Sequence, residues 1–269
     1  MSRCDLYDVA EASLKSFTRS KVRTKILLCL RDGAKSTSDL EKEAGIRNTT
    51  ILHAIKEMSD SEIVARADQG YALTNLGKMQ AYMLTEMMDF VLVMEKYHDF
   101  WLTHDISAIP ETLLTRIGML SRSEILEGDP ADILRTQEFF ISELRGAKAI
   151  RGLSPIIIPG YPEAVAIAVM DGAEVDLILT KSILDIVIRQ HTDLLKQLLE
   201  ADNFRLYRIN MDVAAAFTVT DSIFSLGLFR LDGGYDVGKD LNCIGGAAIS
   251  WGNELFDHYL AKSDRIGSI

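Results

Sequence analysis

Long uninterrupted apolar stretches are missing from this sequence. No run approaches the roughly 18 residues of a membrane span, and the richest segment, Leu76 to Met94, is broken by Lys78, Glu86 and Asp89. The first ten residues mix Arg3, Asp5 and Asp8 among their few apolar side chains, so they lack the apolar centre of a secretory signal. A membrane-bound or exported protein is set aside, and a cytoplasmic location is expected. Cysteine is scarce too. Cys4, Cys29 and Cys243 are odd in number, far apart and form no CxxC, which excludes a disulfide framework, argues against a zinc cluster and fits a reducing compartment.

Catalytic signatures are equally thin. There is no HExxH. None of His53, His98, His104, His191 and His258 has a lysine two residues on, as the phosphodiester chemistry of phospholipase-like enzymes requires. Ser154-Pro155 and Ser250-Trp251 lack the GxSxG setting of a hydrolase elbow. Gly233 to Lys239 has the GxxxxGK spacing, but Asp240 stands where a Mg²⁺-binding Ser or Thr is needed, and Asn242 to Gly246 is poor helix. A Gly-rich turn between sheet and last helix is the reading there. His98-Asp99 and His104-Asp105 are read as solvated linker pairs rather than metal ligands. No enzyme activity, no cofactor and no metal are expected. The alternatives kept open are a phosphate-ester hydrolase with an accessory winged domain, and a winged helix used only for protein contacts.

What is present is material for two cores: 269 residues, 48% of them hydrophobic and 25% charged, the profile of a folded chain. Charge is divided unevenly. Residues 1–80 carry 13 basic and 11 acidic side chains, a net of +2, whereas residues 81–269 carry 16 and 28, a net of −12. An acidic body repels polyanions, so any contact with nucleic acid belongs to the first part.

That first part reads helix, helix, helix, hairpin. Val22, Ile26, Cys29 and Leu30 recur at helical spacing over Lys21 to Arg31, ending at Gly33. Ser38 with Glu41 reads as a capping box for a short helix ending at Gly45. Asn48 reads as the cap of a helix from Thr49 to about Ser59, with Ile51, Leu52, Ile55 and Met58 on one face. Ile63 to Arg66 and Tyr71 to Leu73 are strands around Ala67-Asp68-Gln69-Gly70. This is a helix-turn-helix with a wing. Its second helix fits the major groove, where base edges are distinguishable. Arg47, Asn48, Thr49, Thr50, His53 and Lys56 are the expected groove contacts, Arg66 and Gln69 the wing contacts, and Lys21, Arg23 and Lys25 the flanking phosphate contacts. The N-terminal amides of that helix offer a further phosphate site.

Thr74 or Asn75 then caps a long helix towards Tyr97, where Met83, Met87, Phe90, Met94 and Tyr97 recur at spacings of four, three, four and three. That seam fits either a dimer-forming linker or a helix packed on its own domain. Beyond it, strands at Ser123–Glu127, Lys148–Gly152, Val175–Thr180, Phe204–Ile209, Ala215–Val219 and Ile223–Leu231 alternate with helices at Pro130–Arg145, Tyr161–Asp171, Ile183–Leu199 and Gly245–Leu260. The last two strands form an antiparallel hairpin. The fold class expected is therefore an α+β winged helix-turn-helix domain, 1–75, a linker or dimerisation helix, 76–104, and an α/β sensor or regulatory domain with a mixed sheet, 105–269. Arg151, Asp221, Tyr235 and Trp251, at strand ends, are the candidate ligand contacts. Asp232 and Asp236 are read as Asx-turn residues.

Lys35 to Met58 and Gly70 to Lys78 resemble archaeal winged helix-turn-helix regulators of the ArsR-like kind. Ile150 to Pro155, Pro159 to Pro162, Val219-Thr220-Asp221, Leu228-Phe229, Asp232 to Asp236 and Trp251 to Phe256 resemble the middle domain of the methanogenesis regulatory family. The resemblance implies a transcription factor for methyl-group or one-carbon metabolism. The Cys/His box of the metal sensors is absent, so metal sensing is not carried over. The partners expected are double-stranded DNA, a second copy of the chain in a homodimer, and a small-molecule effector.

Overall fold

A computed structural model of the chain describes residues 2–127 and 135–269. Two compact units divide between Met88 and Asp89.

In the first unit, α1 (Arg3–Thr18) opens on a capping box between Ser2 and Asp5. The S-x-x-D spacing was readable, but this helix was not among those expected. α2 (Lys21–Cys29) continues as a 3₁₀ turn, Leu30–Asp32. α3 (Thr37–Ala44) is capped by Ser36 with Asp39 rather than by Ser38 with Glu41. Either pair satisfies orphan amides; the one two residues earlier starts the helix about half a turn sooner, and Leu40 and Ala44 are buried. Gly45 stands at φ 64, the left-handed conformation that a side chain resists, and so permits the tight turn into α4 (Asn48–Asp60). α4 buries Ile51, Ala54, Ile55 and Met58 against Leu40, Ala44, Ile26 and Leu30. The wing is β1 (Val64–Ala67) paired antiparallel with β2 (Gly70–Leu73), and Lys35 bridges to Tyr71 beside it. Thr74 caps α5 (Asn75–Lys96), its hydroxyl accepting from the Gly77 amide and donating to the Glu62 carbonyl.

The second unit begins within α5 and continues through α6 (His98–Thr103), α7 (Glu111–Leu114), β3 (Ser123–Glu127), α8 (Arg135–Gly146), β4 (Ala149–Ser154), α9 (Tyr161–Met170), β5 (Glu174–Thr180), α10 (Lys181–Gln190), α11 (Thr192–Leu199), β6 (Phe204–Ile209), β7 (Ala215–Thr220), β8 (Ile223–Phe229), β9 (Tyr235–Ile244), α12 (Gly246–Leu260) and β10 (Ser263–Ile266). The expected helix start at Pro130 lies outside the described residues. Ile183–Leu199 is two helices meeting at His191, not one. The expected Gly-rich turn after Gly233 is β9, paired with both β8 and β3, so the GxxxxGK spacing falls on a strand and not on a phosphate loop.

The strands form one sheet in the order β10-β6-β5-β4-β7-β8-β9-β3. β4, β5 and β6 run parallel and the remaining pairs antiparallel, so the sheet is mixed. Period-two alternation sorts its side chains. Leu153, Phe217, Val219, Phe224 and Leu226 pack with Trp251, Leu255 and Phe256 of α12 on one face. Ile150, Val175, Leu177 and Phe204 pack with α9, α10 and α11 on the other.

Candidate functional site

The inward face of α4 is fixed by its buried apolar residues, which leaves the opposite face for solvent. Arg47, Thr49, Thr50, His53 and Lys56 are all exposed there. Arg47 and Lys56 enter no ion pair among the described residues, while His53 lies 3.5 Å from Glu57 on the same helix. Asn48 differs from the expectation. It is the first helical residue and not the cap, half of it is buried, its Oδ1 has no partner, and its amide donates to Glu41 at 3.2 Å. That carboxylate occupies one of the amides at the helix start, so the N-terminal phosphate site is partly filled by the protein itself. In the wing, Arg66 lies over the Tyr71 ring at 4.9 Å and donates to its hydroxyl at 2.9 Å, which holds the guanidinium on the exposed strand face. Gln69 is exposed in the turn, and Lys21 is exposed at the start of α2. Arg23 is half-buried, lining a hollow with Met58, Ser61 and Leu76 near the far end of α4. Lys25 donates to the Ala44 carbonyl at 2.7 Å and so caps α3, which removes it from the flanking phosphate contacts.

In the second unit the four candidate ligand contacts separate. Trp251 is fully buried and its indole N–H donates to the Leu113 carbonyl at 3.0 Å; it is a core residue. Arg151 donates to Asn253 at 2.9 Å and to Asp257, with its guanidinium 4.3 Å from the Phe256 ring centre, so it ties β4 to α12. Asp221 accepts the Lys148 amide at 2.8 Å, which pulls its carboxyl below the usual range. Tyr235 alone of the four lines a cavity. His104, expected as a solvated linker residue, is buried, with Nδ1 2.8 Å from the Phe100 carbonyl and Nε2 3.3 Å from Asp236. Asp232 accepts the Gly234 amide at 3.0 Å in the expected turn; Asp236 accepts the Gly238 amide at 3.0 Å but stands in β9 rather than in a turn.

The cavity at Tyr235 is small, about 40 Å³, and lies between the sheet and the α8–α9 side. Its floor comes from the strand faces that carry no bulk: Ala216 and Thr218 of β7, Ser225 and Gly227 of β8. A Cβ at Gly227 would stand 2.0 Å from the Tyr235 hydroxyl and 2.5 Å from Asp240, so any larger residue there would displace both. The Tyr235 hydroxyl reaches Asp240 at 3.2 Å. Burial, with Asp236 nearby, pushes the Asp240 carboxyl up to about 6 despite that bond. Tyr161 of α9 bonds Thr218, and its ring stacks on Phe140 with centres 5.8 Å apart. Sequence reading missed Asp240, Tyr161, Thr218 and Ser225. The available signal was the alternation of large and small side chains in Ala215–Thr220 and Ile223–Phe229.

These features define a winged helix-turn-helix unit followed by an α/β unit with its own cavity. The chain belongs to the FilR1 family of methanogenesis regulatory proteins: the model of the family's N-terminal domain matches residues 11–92, and that of its middle domain matches residues 133–262. The methanogenesis regulatory protein FilR1 of Methanothrix harundinacea (strain 6Ac) is 39% identical over 254 residues, covering 93% of this chain and 57% of that protein. The chain thus spans little more than half the length of this curated relative. Among solved structures, TrmBL2, titled an archaeal chromatin protein with a novel mode of DNA binding, is 13% identical with a TM-score of 0.43, covering 98% of this chain and all of that one. The phospholipase D family member Nuc from Salmonella typhimurium is 12% identical with a TM-score of 0.40, covering 54% of this chain and 99% of that one. Both are loose likenesses. Among the described residues no helix is long and apolar enough to cross a membrane.

Proposed function

We propose that the chain is a cytoplasmic, ligand-responsive transcriptional regulator of methyl-group or one-carbon genes in methanogenic metabolism, and not an enzyme. Residues 1–75 read double-stranded DNA, 76–104 link, and 105–269 sense. The observation that carries the reading is the two-sidedness of α4: Ile51, Ala54, Ile55 and Met58 are buried while Thr49, Thr50, His53 and Lys56 face solvent beside Arg47. Such a helix presents donors and acceptors to base edges while its other face is held rigidly. Arg66 and Gln69 reach the neighbouring groove or backbone, and Lys21 and Arg23 reach flanking phosphates. Family membership agrees with this role.

The protein works as a homodimer. Met79, Met83, Met87 and Phe90 of α5 are exposed in one helical stripe, a larger apolar display than a helix facing only water carries. A twofold dimer sets two reading heads on half-sites a turn of DNA apart. Selection from a random DNA pool tests this. A palindromic consensus, bound with an affinity that falls steeply as salt rises, is the expected result. Binding indifferent to salt and sequence would instead favour a winged helix used for protein contacts.

A further inference from the structure

The cavity beside Tyr235 has a chemistry that narrows what can enter it. Among the described residues, Asp240 is the one charged residue in its lining, and no Lys, Arg or His lines it. Four aromatic residues, Phe140, Tyr161, Phe217 and Tyr235, share the lining with that carboxylate, and Thr218 and Ser225 add hydroxyls to the floor. Asp236 is also acidic and adds to the negative potential at Asp240. An anion entering such a space would be desolvated against a carboxylate with no cation to compensate, which is strongly unfavourable. A cation gains twice: it neutralises a carboxylate that is poorly solvated, and it meets ring faces whose quadrupoles attract positive charge. Aromatic faces around a carboxylate suit a diffuse, weakly hydrated cation better than a metal ion, which demands several oxygen ligands.

From this we infer that the cleft between β7, β8, β9 and α9 binds a small organic cation of the alkylammonium class, its charge at Asp240 and its alkyl groups against Phe140, Tyr161 and Tyr235. The site stands on its own geometry. Only the consequence, that occupancy alters DNA retention, rests on the regulatory reading above.

The test is calorimetric titration of the full chain with tetramethylammonium chloride at matched chloride concentration and pH 7.5. Neutral tert-butanol and anionic pivalate, of similar bulk, serve as comparison ligands. Saturable binding of tetramethylammonium is expected, with tert-butanol and pivalate at least roughly tenfold weaker. Asp240→Asn should lose about tenfold or more in affinity while remaining folded, since the amide keeps an acceptor for the Tyr235 hydroxyl. Phe140→Leu, nearer the rim, should lose several-fold and carries the test if Asp240→Asn does not fold. No saturable binding to the folded chain, equal binding of either comparison ligand, or unchanged affinity in both variants would overturn the assignment. Cation binding that leaves operator retention unchanged removes the regulatory role and keeps the site. Operator retention without any cation binding removes the site and keeps the DNA reading.

Discussion

Asp240 shows how one residue trades stability for chemistry. Its carboxyl is pushed up to about 6 by burial, with Asp236 adding to the shift and the Tyr235 hydroxyl opposing it. The folded state therefore holds this proton more tightly than the unfolded chain does. The stabilisation is complete below the unfolded carboxyl range near pH 4 and is lost as pH rises through 6, leaving a cost of roughly 2 kcal/mol at neutral pH after allowance for the open mouth of the cleft. Asp240→Asn should thus raise the melting temperature of the second unit by a few degrees at pH 7.5 and leave it unchanged at pH 4. Scanning calorimetry at the two pH values decides; a fall at pH 7.5 would contradict the assigned cause. The cysteines behave as residues of environment too. Cys243 is pushed up to about 12 by burial and Cys29 is raised by the same cause, whereas Cys4 is exposed on α1. Native protein should release colour from a disulfide reagent with Cys4 only, and from all three thiols once unfolded. Rapid modification of Cys29 or Cys243 in the native state would contradict their burial.

At the scale of elements, α4 and α5 carry separable predictions. Replacing Arg47, Thr49 and His53 together by alanine changes exposed positions only, so stability should move by little more than about 0.5 kcal/mol while specific operator retention is lost. Retention equal to that of the parent chain would mean that another face meets DNA. Along α5 the expected seam divides. Met83, Met87, Phe90 and Met94 are exposed, but Tyr97 is buried in the core of the second unit, where its hydroxyl donates to the Ser123 carbonyl. A self-association surface along this seam would therefore end before Tyr97. Met83→Glu with Met87→Glu should convert a dimer to a monomer in sedimentation and weaken binding to a palindrome far more than to a single half-site. A dimer that survives both charges places the twofold contact elsewhere. The alternation in β7 and β8 belongs to this scale as well: one face large and apolar for α12, the other Ala, Thr, Ser and Gly, which leaves room for a cavity.

For the whole molecule the decisive quantity is coupling. The first 80 residues are near neutral and the remainder strongly acidic, so the proposed DNA and cation ligands, of opposite charge, would have separate places to bind. If the two are linked, thermodynamics makes the linkage reciprocal: operator DNA must change the affinity for tetramethylammonium by the same factor as tetramethylammonium changes the affinity for DNA. Titrating each ligand in the presence of the other checks this. Unequal factors at equilibrium would mean that the two measurements are not reporting the same two-state switch.

The order of elements was legible because its causes are local. Helical spacing, the Gly45 turn and the Gly-tipped wing gave the winged helix, and short apolar runs gave six of the strands. Local rules also misled where two answers were nearly equivalent, as with Ser36 against Ser38, and β9 was hidden because Gly238, Lys239 and Asp240 weaken a strand signal that only pairing with β8 and β3 restores. The cleft was decided by tertiary structure alone. Phe140, Tyr161, Thr218, Ser225 and Asp240 are far apart in the chain and meet because strand register sets the last three on one face while α8 and α9 bring Phe140 and Tyr161 to it. Alternation in a strand tells which side chains share a face; what covers that face, and whether space is left beneath it, depends on helices elsewhere in the sequence.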